Sequence, residues 1–82
     1  MNRNDLVTRL IEVREEQRKT REKRDHAHQR IVKALDSVKR LDIDSKTTIL
    51  ALVQLYTQHV FVLGCLSKEY RLLKDRLYEE ND

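Results

Sequence analysis

The stretch from Thr47 to Ser67, TTILALVQLYTQHVFVLGCLS, contains no Asp, Glu, Lys or Arg, although these four types make up 38% of the 82-residue chain. Through it and beyond it, residues recur at alternating intervals of three and four: Ile49, Leu52, Tyr56, His59, Leu63, Leu66, Tyr70, Leu73 and Leu77. This spacing is typical of the seam of a coiled coil or helix bundle. Other apolar residues lie off the seam, so the helix must be covered on several sides, in a core or in a membrane.

The uncharged stretch is long enough for a membrane span, which needs about 20 mostly apolar residues. However, several polar residues between Gln54 and His59 lie in its middle, where polar groups are least tolerated by hydrocarbon. The seam also continues to Leu77, which a simple span would not require. We therefore expect a helix buried in an oligomer rather than a membrane span.

The composition of the chain favours long helices in one domain, residues 1–82. One Gly and no Pro leave few turn signals, and nothing indicates short strands. A chain of this length buries little core by itself. Cys65 has no second cysteine to pair with, and the N-terminus lacks the apolar segment of a signal peptide, so we expect a cytoplasmic protein.

The pattern predicts an all-α fold, an antiparallel helical hairpin of two long helices. The first helix should span about residues 4–41, with Asn2 or Asn4 as its N-cap, and the turn about residues 42–45. The second should span about residues 46–78, capped by Asp44 or Ser45, before an acidic tail at 79–82. A turn near Asp44 would place Ile31 beside Gln58 and His59.

The seam of the first helix is apolar at its ends but polar in its middle, at Gln17, Thr20 and Arg24. In a hairpin this polar middle would face the most apolar part of the second helix, so an isolated hairpin would leave apolar side chains uncovered. We therefore expect self-association into a helix bundle or coiled-coil-like oligomer. The expected interface residues are Leu52, Tyr56, His59, Val60, Phe61, Leu63, Leu66 and Tyr70.

Two features of the second helix have alternative interpretations. Gly64 inside a helix is unfavourable by about 1 kcal/mol relative to Ala, so it should permit a close helix crossing. The polar belt of Gln54, Tyr56, Gln58 and His59 is either hydrogen-bonded structure or, around a symmetry axis, the lining of a small polar chamber.

A basic strip lies in the middle of the first helix, from Arg18 to Arg30. One interpretation is a solvated face with ion pairs four residues apart, such as Glu15–Lys19. The other is a site for phosphates or for an acidic protein surface. Its candidate binding residues are Arg18, Lys19, Arg21, Lys23, Arg24 and Arg30.

From Arg21 onward, a basic stretch precedes Ile31, Leu35 and Val38, and the second helix continues into a heptad repeat. In these features the chain resembles basic helix-loop-helix DNA-binding proteins, which would imply DNA binding. The sequence departs from that family at Arg24, where the base-reading Glu would stand. It also lacks the proline that ends the family's first helix, and its connection is shorter. The resemblance covers less than half of the chain.

No motif for phosphate binding, nucleophilic catalysis or metal binding is present, so we expect no enzyme activity, cofactor or metal. The sequence favours a non-enzymatic oligomeric module that binds, sequesters or scaffolds a partner, in the manner of a small regulator or inhibitor. One alternative is nucleic-acid binding through the basic strip. Another is sequestration of a small anionic ligand, such as a nucleotide, between subunits.

Overall fold

The chain forms two long helices that fold back on each other. The computed structural model describes residues 2–40 and 42–81, with side chains through Glu79. Helix α1 spans Arg3–Ser37 and helix α2 spans Ile43–Asn81. Together they form a rod of 62 × 14 × 14 Å. The all-α antiparallel hairpin predicted from the sequence is confirmed.

Side-chain caps determine where the two helices begin. The Asn2 side chain accepts a hydrogen bond from the Asp5 backbone N–H at 2.9 Å, as one of the two predicted caps should. The second cap is Asp42 rather than Asp44 or Ser45, because its Oδ1 accepts from the Ser45 N–H at 2.7 Å. This hydrogen bond lowers the pKa of Asp42 and begins α2 at Ile43, three residues before the predicted start.

The connection between the helices is displaced toward the N-terminus relative to the predicted turn at 42–45. Helix α1 ends at Ser37, not near residue 41; Leu41 itself lies outside the described residues. Val38 is extended, and its N–H donates to the Leu35 carbonyl at 3.2 Å, which closes the last turn. At the other end, α2 continues to Asn81, so most of the predicted acidic tail is helical.

The seam predicted from the three-and-four spacing is the interface between α1 and α2. All of its members among the described residues are buried or half-buried. In α1 these are Leu6, Leu10, Val13, Gln17, Thr20, Arg24, Ala27, Ile31, Ala34 and Val38; in α2 they run from Ile49 to Leu77. The spacing therefore identified the inward face of both helices, since three-and-four intervals keep side chains on one stripe of a helix.

The apolar core is concentrated where the two chain ends meet. Leu6, Val13, Leu66 and Leu73 form one buried cluster, against which Leu10, Tyr70 and Leu77 pack. Nearer the turn, Ala27 and Leu52 are buried outside that cluster. The middle of the seam is polar on α1, as the sequence indicated.

The register of the hairpin differs from the predicted one. His28, not Ile31, lies level with the first turn of the polar belt, with 6.0 Å between the His28 and Tyr56 ring centroids. The difference follows from the displaced connection: when the turn lies nearer to the N-terminus, every residue of α2 meets an earlier residue of α1. Even with this change of register, the polar middle of the α1 seam still faces an apolar part of α2, as predicted.

Candidate interaction surfaces

Two sets of cross-helix contacts define the two flanks of the hairpin. On one, Arg9 makes a bidentate ion pair with Glu69: Nε lies 2.7 Å from Oε1 and Nη2 lies 3.0 Å from Oε2. Arg9 also contacts Glu12 and Glu16 of its own helix. The pairing lowers the pKa of Glu69 and raises that of Arg9. We call this side the Glu69 flank.

On the opposite side, Tyr70 receives a hydrogen bond of 3.0 Å from Arg14, whose guanidinium carbon also lies 5.4 Å from the centroid of the ring. Gln17 donates to the Ser67 hydroxyl at 3.3 Å. The His28–Tyr56 ring contact lies on the same side. We call this side the Tyr70 flank.

A stripe of cations lies on the Glu69 flank of α1, on the same face of the helix as Arg9 and further toward the turn. After Arg9, Glu12 and Glu16, three-and-four spacing gives Lys19, Lys23, His26, Arg30 and Lys33. These last five residues, the basic ridge, are all exposed. No salt bridge joins any of them to another described residue, whereas the three residues before them are tied into the Arg9 network. The pKa of Glu15 is lowered by its hydrogen bonds to Arg18 and, to a smaller extent, by the nearby charge of Lys19.

On α2, the stripe of the Glu69 flank is mostly apolar. From Glu69 the same spacing gives Ala51, Leu55, Gln58, Val62 and Cys65 toward the turn, and Leu72 toward the C-terminus. Leu55 is half-buried and the others are exposed. Phe61, on the back of α2 and beside this stripe, is 72% exposed. The Glu69 flank thus carries cations on one helix and apolar groups on the other.

The Tyr70 flank is apolar on both helices in its half nearer the turn. Its α1 stripe ends in Val32 and Leu35, and its α2 stripe includes Leu50, Val53 and Val60. All five are exposed, by 40% to 55% of their surface. We call them the apolar patch. No Asp, Glu, Lys or Arg lies on the α1 stripe from His28 to Leu35 or on the α2 stripe from Leu50 to Gly64.

The six cations predicted as one binding strip lie on different faces. Arg18 is paired with Glu15 at 2.6 Å and Glu22 at 2.5 Å, and this hydrogen bonding lowers the pKa of Glu15. Arg24 lies on the seam and pairs with Asp25 at 3.0 Å. Lys19, Lys23 and Arg30 belong to the basic ridge, and Arg21 lies on the Tyr70 flank. His26 and Lys33 complete the ridge; neither was among the predicted binding residues.

Most of the residues predicted for an oligomer interface are used inside the hairpin. Those on the seam are buried or half-buried against α1: Leu52, Tyr56, His59, Leu63, Leu66 and Tyr70. Val60 and Phe61 are exposed. Of the polar belt, His59 is half-buried on the seam, whereas Gln54 and Gln58 are exposed. Among the described residues, no group of three or more His, Cys, Asp or Glu is arranged to hold a metal ion.

Gly64 and Cys65 have no packing role within the hairpin. A Cβ added at Gly64 would meet nothing within 4 Å outside its own helix, so the predicted close crossing does not occur between α1 and α2. Cys65 is exposed. Both residues lie on parts of α2 that α1 leaves uncovered.

Helix α2 is also long and apolar enough to cross a membrane, judged by length and composition alone. Within the most apolar 18-residue segment of α2, only 11% is buried in the hairpin. A buried core helix would show the opposite, so α1 does not supply the cover that the composition of α2 requires.

Comparison of the chain with models of protein families, with curated proteins and with solved structures gives no match. The resemblance to basic helix-loop-helix proteins therefore has no support from a family model.

Proposed function

We propose that this protein is a non-enzymatic, self-associating helical module whose apolar patch packs against a second copy of the chain to form a helix bundle. The observation that carries the proposal is the uncovered apolar surface of α2, together with Val32 and Leu35 of α1 at the same level. Burying a Val or Leu side chain completely stabilises by about 1.5–3 kcal/mol. Five half-exposed residues on each of two chains therefore provide a substantial driving force.

A second copy fits this surface better than a charged partner does. The patch is continuous across both helices and carries no formal charge, so an identical patch meets it without leaving a buried ion unpaired. Two-helix hairpins that join through such faces make four-helix bundles, in which each helix gains the neighbours that a hairpin alone lacks. A closed two-fold pair also uses the same patch on both chains.

The assembled bundle would act by presenting its outer, charged surfaces to a partner, as a scaffold, a sequestering protein or a small regulator or inhibitor. We place the site of action in the cytoplasm as part of the same proposal.

Light scattering coupled to size-exclusion chromatography, at low and high salt, tests the association. We expect a dimer or larger species that persists in high salt, because apolar contacts are not screened by ions. The double variant Val53→Glu, Val60→Glu should dissociate it. The matched control is Thr8→Glu, Gln29→Glu, two exposed positions on the outer face of α1, which should leave the assembly intact.

A wild-type protein that is a folded monomer under both salt conditions would overturn the proposal. Circular dichroism of the Val53→Glu, Val60→Glu variant should retain the helical signal, because both residues lie off the seam and are partly exposed. Loss of that signal would show that the two valines stabilise the hairpin itself rather than its association.

The two alternatives from the sequence stay predictions. Nucleic-acid binding through the strip would weaken steeply with salt and would be lost on charge reversal of Arg21, Lys23 and Arg24. Binding of a nucleotide between subunits would raise the thermal midpoint, because a ligand that binds only the folded state stabilises it.

A further inference from the structure

We propose that the Glu69 flank is a docking surface for a membrane carrying anionic phospholipids, with the basic ridge on the headgroups and the apolar stripe of α2 at the headgroup–acyl boundary. This inference goes beyond the proposed self-association, which uses the opposite flank. It does not require α2 to cross the bilayer: the hairpin lies flat on the surface.

The first observation is the basic ridge. Lys19, Lys23, Arg30 and Lys33 extend over about 21 Å at the helical rise of 1.5 Å per residue. They are exposed, and no described acidic residue forms a salt bridge with them. Lys19 does lie close enough to Glu15 to add to the lowering of that carboxyl's pKa by Arg18. The acids of this part of α1 lie elsewhere: Glu15, Glu22 and Asp36 share the outer face of the helix, and Asp25 faces Arg24. The ridge is therefore a continuous cationic line.

The second observation is that an apolar stripe lies beside the ridge over the same length. Because His28 is level with Tyr56, the ridge runs alongside the part of α2 from about Ala51 to Cys65. There the Glu69 flank presents Leu55 and Val62, with Phe61 projecting from the adjoining back of the helix. Cations and apolar side chains on one long face are the pattern of proteins that lie in a membrane interface.

The charges and the apolar groups have complementary roles on a lipid surface. Lys and Arg side chains are attracted by the negative potential of anionic headgroups, while their aliphatic stems extend along apolar surface. Phe, Leu and Val side chains leave water for the outer acyl region. The acids on the outer face of α1 would remain in solvent, away from the lipid.

Nucleic acid is the less suitable partner for the same face. It would pair with the cations, but it offers nothing to the apolar stripe, and one Phe does not form the stacking platform that single-stranded nucleic acid requires. An anionic bilayer satisfies both halves of the surface at once, which is why we commit to it.

Cosedimentation of the full-length chain with vesicles tests the proposal. One set contains phosphatidylcholine alone, and the other contains phosphatidylcholine with one-quarter phosphatidylglycerol. We expect binding to the anionic vesicles that exceeds binding to the neutral ones by more than about tenfold at low salt. High salt should weaken it because ions screen the headgroup charge.

Two matched variants separate the effect of the ridge on vesicle binding from the effect of the net charge. Lys19→Gln, Lys23→Gln, Arg30→Gln, Lys33→Gln removes four positive charges from the ridge and so changes the formal net charge from +3 to −1. Lys46→Gln, Lys68→Gln, Arg71→Gln, Lys74→Gln removes four from exposed positions of α2 off the Glu69 flank. The first should lose more than about tenfold in vesicle affinity and the second should change it little. Equal losses would overturn the proposal.

A third variant tests the apolar half of the surface. Phe61→Ser should reduce the binding to anionic vesicles that persists in high salt. Equal binding to neutral and anionic vesicles would overturn the proposal, as would ridge-dependent binding to duplex DNA that is tighter than binding to vesicles. The Val53→Glu, Val60→Glu variant should still bind vesicles, so failure of self-association and failure of lipid docking give different results.

Discussion

The two halves of the hairpin differ in how they hold together. Near the chain ends, Leu6, Val13, Leu66 and Leu73 form a buried cluster. Near the turn, Ala27 and Leu52 are the buried residues, and Leu35 and Leu50 remain exposed. The apolar content of the turn half is at least as high, so composition alone does not determine burial. What differs is the facing helix: the α1 seam carries Leu6, Leu10 and Val13 opposite the terminal half of α2. After its polar middle, the same seam carries the smaller Ala27 and Ala34 toward the turn.

The polar contacts between the helices follow the same division. Each cross-helix hydrogen bond among the described side chains joins Arg9, Arg14 or Gln17 to the segment from Ser67 to Tyr70. In the turn half the corresponding contact is the tilted His28–Tyr56 ring pair. The terminal half is held together by contacts between α1 and α2, whereas the turn half leaves surfaces exposed that are suited to partners.

The largest expected effect contrasts two leucines of α2 with equal exposure. Leu73 belongs to the buried cluster and Leu52 does not, although each is 7% exposed. Truncating a buried leucine to alanine destabilises by about 2–5 kcal/mol, depending on how fully its surroundings can relax. We expect Leu73→Ala to fall near the upper end and Leu52→Ala near the lower end, in urea unfolding followed by circular dichroism. Equal losses would mean that the two halves are equally well packed.

A second experiment removes the difference between the halves. Thr20→Leu, Arg24→Leu makes the polar middle of the α1 seam apolar, opposite an apolar stretch of α2. Both positions are half-buried, so we expect a gain in unfolding free energy of about 1–2 kcal/mol for the pair, below the value for full burial. A loss of stability would show that the seam polarity supports the hairpin instead of limiting it.

The substitution Gly64→Ala tests whether α2 is covered at this position, through the direction in which stability changes. Nothing outside the helix lies within 4 Å of the added Cβ, and Gly is about 1 kcal/mol less favourable than Ala inside a helix. We therefore expect the variant to be more stable by about that amount in thermal unfolding. A decrease would show that another chain passes closely over this position.

The smallest expected effect is the pH dependence that the Arg9–Glu69 pair gives to the terminal half. Arg9 lowers the pKa of Glu69 through their hydrogen bonds, so the carboxylate stabilises the folded state above its ordinary pKa. That contribution is lost as the pH falls below about 4.3, the ordinary pKa of a glutamate, and through the lower pKa that Glu69 has in the folded state. Because the pair is partly exposed, its effect is small and screened by salt. Arg9→Gln should flatten this part of a stability–pH profile, with Arg30→Gln as the control.

The inward faces of both helices were predictable from sequence because the three-and-four spacing is a local property of each helix. The register was not, since it depends on which of several adjacent capping residues is used. The cap is Asp42 instead of the predicted Asp44 or Ser45, and this choice moves every cross-helix pair. The basic ridge has a sequence signature in the spacing of Lys19, Lys23, His26, Arg30 and Lys33. Only the Arg9–Glu69 contact shows which stripe of α2 lies beside it.

The position of the buried cluster also bears on how the chain folds. Its contacts join residues far apart in sequence, and the Arg9–Glu69 pair is separated by 60 residues. Closing a longer loop costs more chain entropy, by about 0.6 kcal/mol for each doubling of its length. If the helices pair from the turn outward, the weakly packed half forms first. The stabilisation from burying the apolar cluster then comes last. Folding of this hairpin should be slower and more cooperative than its high helix content indicates, since long-range contacts slow folding.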